Sequence, residues 1–149
     1  MSIIIRPATV ADVGAVVALL ADDDLGAARE TPGDLDPYLR AFELVARDPA
    51  QLLVVAEQDG EVVGTLQLSL IPGLSRRGAT RALIEAVFVA SSQRGNGLGG
   101  RLIEWAIDEA KRRGSVMAQL TSDASRTDAH RFYERLGFTA SHVGFKLPL

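Results

Sequence analysis

The chain has 149 residues, a formal charge of -3 and no cysteine. That length fits one domain with a core of its own, and the missing cysteine excludes disulfides, thiolate metal sites and a cysteine nucleophile for a covalent acyl-enzyme. The mixed charge gives no pull toward nucleic acid. Two histidines are too few for a histidine-rich metal site, and no apolar run reaches the about 18 residues of a membrane span.

The start, Met1-Ser2-Ile3-Ile4-Ile5-Arg6, is apolar but lacks a signal peptide's charged opening and small-residue cleavage site. The expectation is a soluble cytoplasmic protein, a single domain over residues 1–149. Ile3-Ile4-Ile5 reads as a short buried strand. Thr9 with Asp12 marks a helix start, and Val13, Val16, Val17 and Leu20 follow at the spacing of one helical face. Residues 22–36 are polar and acidic and read as a loop. Asp36 before Pro37 is a second helix start, with Tyr38, Phe42 and Val45 able to face inward.

A hairpin comes next. Leu52 to Ala56 is a strand, Asp59-Gly60 suits a turn with positive backbone angles, and Val62 to Leu70 returns. After a loop with Pro72, Gly73 and Gly78, Ala82 to Ala90 is another strand. Leu98, Leu102, Ile103, Ala106, Ile107 and Ala110 form a helical stripe, with Lys111, Arg112 and Arg113 suiting its C-terminal dipole and Gly114 ending it. Val116 to Leu120 is a strand. Ser125 or Thr127 caps a helix carrying Ala129, Phe132, Tyr133 and Leu136, stopped by Gly137, and Phe138 opens a last strand or two. The order is strand, two helices, three strands, helix, strand, helix and one or two strands: an α/β fold with a mixed sheet flanked by helices.

Between a strand and a helix stands Arg94-Gly95-Asn96-Gly97-Leu98-Gly99-Gly100. Unpaired N–H groups at a helix start, with the positive end of the helix dipole, make an anion site, and glycine lets backbone come close to phosphate. Two known phosphate motifs overlap these residues. Gly95, Gly97 and Gly100 satisfy the dinucleotide pattern G-x-G-x-x-G, with Asp123 placed to hold a ribose. Against it, Ser91-Ser92-Gln93-Arg94 separate the loop from its strand, and too little chain follows Asp123 to complete a doubly wound sheet. The loop G-x-x-x-x-G-K-[ST] fails because Arg101 and Leu102 replace the lysine and the magnesium-binding hydroxyl.

Arg94-x-x-Gly97-x-Gly99 resembles the first motif of the GNAT superfamily of acyl-CoA N-acyltransferases. Ala129-x-x-Phe132-Tyr133-Glu134-x-x-Gly137-Phe138 resembles the second, and the element order is similar to that family's mostly antiparallel sheet across nearly the whole chain. The resemblance implies an acetyl-CoA co-substrate and no metal. Its pyrophosphate would rest on the backbone N–H groups of residues 95–100, and its pantetheine amides would pair with the strand edge Val87-Phe88-Val89. An unpaired strand edge accepts an extended amide chain on general grounds.

Attack of an amine on a thioester needs a group to take the amine proton and one to protonate the leaving thiolate. Tyr133 sits where the family commonly has the tyrosine that donates to the thiolate, and a phenol keeps its proton at neutral pH. Glu85 is the base candidate, a carboxylate inside the apolar strand Ala82-Leu83-Ile84-Glu85-Ala86-Val87-Phe88-Val89; its alternative is a solvated stretch of strand, and a water-mediated route is equally open. Thr121 stands where other members carry a glutamate. Arg126 replaces an asparagine common in the second motif and would meet the coenzyme differently or not at all. His130 reads as an exposed helix residue. Asp22, Asp23, Asp24 and Glu30 lie where the family walls its acceptor pocket, either as a solvated acidic loop or as a draw for a cationic amine. The expected activity is N-acetyl transfer to a primary amine, on a small molecule or a peptide, by direct attack in a ternary complex. A silent acyl-CoA-binding module and a dinucleotide oxidoreductase are the rivals, no membrane or nucleic-acid partner is expected, and a homodimer is left open.

Overall fold

A computed structural model describes residues 2–149. The turn Asp59-Gly60 takes φ of 52° and 83°, the conformation that joins strands with a right-handed twist, and the strands on either side are long. They are β2 (Gln51–Gln58) and β3 (Glu61–Pro72). β1 (Ile3–Pro7) pairs antiparallel with β2, and β4 (Thr80–Val89) pairs antiparallel with β3. β5 (Met117–Gln119) lies parallel to β4 and completes a sheet ordered β1-β2-β3-β4-β5. This is the mixed, mostly antiparallel α/β arrangement expected from the sequence.

The helices are α1 (Val13–Leu20), α2 (Asp24–Arg29), α3 (Asp36–Arg47), α4 (Leu98–Arg112) and α5 (Thr127–Arg135). Leu98, Leu102, Ile103, Ala106 and Ala110 of α4 are buried against Val54, Ala56, Val63, Leu66, Leu68, Ala82 and Ile84 of the sheet. Side chains alternate across a strand, so Val55 points the other way, where α1 buries Val13, Val16, Val17 and Leu19. α3 packs on β2. No helix among the described residues is long and apolar enough to cross a membrane.

Three expectations are corrected. Residues 22–36 are not all loop, because the Asp23 side chain accepts from the Gly26 N–H at 2.6 Å and caps α2. β5 is shorter than Val116 to Leu120. No strand follows Phe138: a strand exists by pairing, and beyond that residue the only backbone bond among the described residues runs from the Ser141 N–H to Thr139 O.

The start of the fold is tied by one charged cluster. Arg6 forks onto Asp12, Nη1 to Oδ2 at 2.8 Å and Nη2 to Oδ1 at 3.0 Å, and Nη2 also reaches Glu57 of β2 at 3.2 Å. Asp12 Oδ2 accepts from the Thr9 N–H at 2.7 Å, closing the 3₁₀ turn that leads into α1. The hydrogen bond from Arg6, helped by that from Thr9, lowers the Asp12 carboxyl to about 2 against the opposing effect of burial. A carboxyl held below its unfolded value adds stability that is whole above that unfolded value and disappears as pH falls through about 2. Asp12→Asn is therefore expected to remove about 2 kcal/mol at neutral pH, and to flatten stability between about pH 4 and pH 2. Urea unfolding across that range is the measurement.

Candidate active site

The alternation of β4 breaks in its middle. Gln67 faces Glu85 and Thr65 faces Phe88, so Leu66 of β3 stands opposite two residues, Ala86 and Val87. Ala86 takes φ of 50°, a left-handed angle unusual for a residue with a Cβ. On its other side β4 pairs with β5 only from Arg81 to Leu83, against Met117 to Gln119. Beyond Leu83 the two strands make no further pairing among the described residues. The edge of residues 84–89 that faces away from β3 is left open, and it includes Val87, Phe88 and Val89, the three expected to take an amide chain.

The glycine loop begins where β4 ends. Ser91–Gln93 form a 3₁₀ turn whose Gln93 side chain is buried and donates from Nε2 to Gln58 Oε1 at 2.6 Å. This fastens the loop to β2, and a glutamine in a Ser-Ser-Gln turn gives no sequence signal of it. Gly97 caps α4 with φ of 79°, which a side chain would strain. The Arg101 N–H closes the first helical turn onto Gly97 O at 3.1 Å. Among the described residues the N–H groups of Gly95, Gly97, Leu98, Gly99 and Gly100 find no acceptor, whereas that of Asn96 is held by Gln93 O at 3.2 Å. Five of the six expected donors are thus free, at the positive end of a fifteen-residue helix. Arg94 is exposed at the mouth of the loop.

α5 touches this loop. A Cβ on Gly99 would lie 3.3 Å from Phe132 Cζ and 3.9 Å from Val89 Cγ2, so its missing side chain makes room for the ring as well as for a ligand. Phe132 meets Tyr133 edge-on at 5.1 Å, and Tyr133 meets Phe138 at 6.0 Å. Val89, Gly99, Phe132 and Tyr133 therefore converge. Burial raises the Tyr133 phenol above its ordinary value, and the charge of Arg126, exposed at the start of α5, pulls the other way. The Tyr133 hydroxyl has no hydrogen-bond partner among the described residues. Glu85 is exposed on β4 just before the bulge and forms no ion pair among those residues. His130 is half-buried rather than exposed, its Nε2 lying 2.8 Å from Asp123 O. Of Asp22, Asp23, Asp24 and Glu30, Asp23 caps α2 and Glu30 accepts from the Tyr38 hydroxyl at 3.0 Å, so two of these four carboxylates serve the fold.

Residues 16–138 match the model of the "Acetyltransferase (GNAT) family". The chain belongs to the GNAT family. It is 31% identical over 145 residues to the aminoalkylphosphonate N-acetyltransferase of Salmonella typhimurium, covering 97% of this chain and 90% of that one. It is 30% identical to the L-methionine sulfoximine/L-methionine sulfone acetyltransferase of Pseudomonas aeruginosa, covering 95% and 83%. Among solved structures it is similar to a transcriptional regulator from Bacillus halodurans, with 45% identity, a TM-score of 0.96 and coverage of 99% and 100%. As a GNAT protein the chain is an acyltransferase.

Gly99→Val is expected to push on the Phe132 ring and cost about 1–3 kcal/mol. Gly100→Ala meets only Leu136 Cδ2 at 4.0 Å and leaves stability unchanged or slightly raised. Thermal melts of the two variants without ligand test this packing.

Proposed function

We propose that residues 1–149 form one N-acetyltransferase domain that moves an acetyl group from acetyl-CoA to the primary amine of a small molecule, by direct attack in a ternary complex. The observation that carries this reading is the meeting of two sets of unpaired backbone groups. The free N–H groups of Gly95 and Gly97 to Gly100 suit a pyrophosphate, and the open edge of Val87-Phe88-Val89, a few residues away in the chain, suits an extended diamide such as pantetheine.

Acetyl-CoA supplies a thioester carbonyl on which a C–N bond forms as the C–S bond breaks, so the amine must lose a proton and the sulfur must gain one. Tyr133 is assigned the donation to sulfur. Its phenol, raised by burial, keeps its proton at neutral pH, and its hydroxyl is committed to no other group among the described residues. Glu85 is assigned the removal of the amine proton. It is exposed, beside the bulge, and free of a cationic partner among those residues, so its carboxylate can accept a proton directly or through a water. Arg94 and Arg126 add positive charge near the loop for the coenzyme phosphates. The acceptor is read as small because the relatives from Salmonella typhimurium and Pseudomonas aeruginosa act, by their names, on aminoalkylphosphonate and on L-methionine sulfoximine or L-methionine sulfone. A second reading, an acyl-CoA-binding module without turnover, is compatible with the name of the Bacillus halodurans neighbour, a transcriptional regulator.

A panel of small primary amines, aminoalkylphosphonates and amino acids among them, with acetyl-CoA and detection of free thiol separates the two. Release above the amine-free rate is expected; tight acetyl-CoA binding with no release from any amine supports the silent module. With a good acceptor, Tyr133→Phe should reduce turnover by roughly a hundredfold while acetyl-CoA affinity holds and stability changes by at most about 1 kcal/mol. Turnover within a factor of two of the parent removes Tyr133 from the mechanism. Glu85→Gln should depress turnover most on the acid side, where the amine is protonated and most needs a base. A pH–rate profile that overlays the parent assigns the proton to water instead.

A further inference from the structure

The chain is poor in side-chain amines of its own. Lys111 and Lys146 are its two lysines among 16 lysines and arginines, and a guanidinium keeps its charge and cannot attack a thioester. Both lysines are exposed, but they differ in place. Lys111 stands in the last turn of α4, about 20 Å along the helix axis from Leu98 at the glycine loop. Lys146 stands in the segment after α5, which starts at the candidate site and passes it again.

Phe138 opens that segment. Its ring packs on Tyr133 at 6.0 Å, and its N–H donates to Tyr133 O at 3.1 Å. By Gly144 the chain is back at the site: a Cβ there would lie 3.9 Å from Thr121 Cγ2. Thr121 lies just past Gln119, the last residue of β5 to pair with β4. It therefore borders the crevice across from the open edge of residues 84–89. Lys146 follows Gly144 after about 7 Å of extended chain, and its flexible four-carbon stem reaches further. The Asp123 carboxyl is held below its ordinary value first by the Ser125 hydrogen bonds, then by the charges of Arg126 and Lys146. The charge of Arg126 also acts on Tyr133, so lysine and phenol share one neighbourhood.

Little holds the segment down. Val143, Phe145 and Leu147 are 79%, 93% and 82% exposed. Among the described residues no N–H from His142 to Leu149 reaches a backbone acceptor, and Lys146 forms no ion pair. A segment with so few contacts moves at low free-energy cost, and its amine can swing from Thr121 into the crevice.

We propose that the chain acetylates itself, its own Lys146 serving as the amine when no outside acceptor fills the crevice. This rests on the proposed acetyl transfer. The neutral Nζ attacks the thioester carbonyl, and a C–N bond forms as the C–S bond breaks. Glu85 or a water takes the amine proton, and Tyr133 gives one to the sulfur. The products are an Nε-acetyl-lysine and the free thiol of coenzyme A. A short tether gives the amine an effective concentration of roughly millimolar order, so it competes with dilute outside amines.

The purified full chain, incubated with acetyl-CoA and no added amine, is read by intact mass and by peptide mapping. One acetyl group per chain is expected, on Lys146 and not on Lys111, at a rate constant unchanged by dilution of the protein. Lys146→Arg should lose that group and keep its turnover of an outside amine. Tyr133→Phe should slow the marking of Lys146 by roughly a hundredfold. Turnover of an outside amine with Lys146 unmarked overturns the inference and leaves the proposed function standing. Transfer to neither overturns both. Equal marking of the two lysines means spontaneous chemistry, and a rate that rises with protein concentration means encounters between chains; either result also overturns the inference.

Discussion

Two residues of β4, Ala86 and Val87, stand opposite one residue of β3, and the site depends on that mismatch. Leu66 across from them is fully buried, so the β3 side cannot give way, and the strain is taken up by the left-handed angle of Ala86. β4 is deflected, and its pairing with β5 ends after three residues. A regular strand would let β5 follow it to the end and fill the edge that the proposed function requires. The bulge thus converts a continuous sheet into one with a crevice, and it does so at the strand end where the glycine loop begins.

The second constraint is contact between elements distant in sequence. Gly99, in the first turn of α4, has no side chain, and the Phe132 ring from α5 fills part of that space beside Val89 of β4. Tyr133 and Phe138 extend the aromatic row. The loop that would hold phosphate and the helix that carries the proposed acid are therefore set by one another. This gives Gly99 two duties, and it explains why two motifs about thirty residues apart occur together: each shapes the surface on which the other rests.

Features with local causes are readable from the sequence. Asp59-Gly60 dictates its turn, the stripe from Leu98 to Ala110 dictates its helix, and the glycines before it mark the free donors. What escapes has causes that are not local. α2 hides in an acidic run because its cap, Asp23, looks like its neighbours and Gly26 argues against a helix; only the folded chain shows the side chain turned onto that N–H. The bulge leaves no mark in Glu85-Ala86-Val87, since alternation tolerates an alanine at either phase. Gln93 gives no sign of burial, because its partner, Gln58, lies in another strand. The alternation after His142 is genuine, but a strand needs a partner, and the tail pairs with no edge of its own chain among the described residues.

The shortness of β5 has a further consequence for motion. β1 to β4 are joined by long antiparallel ladders, whereas β5 and α5 are attached through three parallel register pairs and the packing of side chains such as Ala118, Leu120, Phe132, Leu136 and Phe138 on the core. The crevice runs along the seam between a firmly paired body and a lightly held one. In such an arrangement the segment from β5 onward opens at lower free energy than the remainder, and its amides exchange with solvent first. Anything that bridges the seam must order that segment as it binds, so part of its intrinsic affinity appears as rigidity of the protein rather than as tightness of the complex.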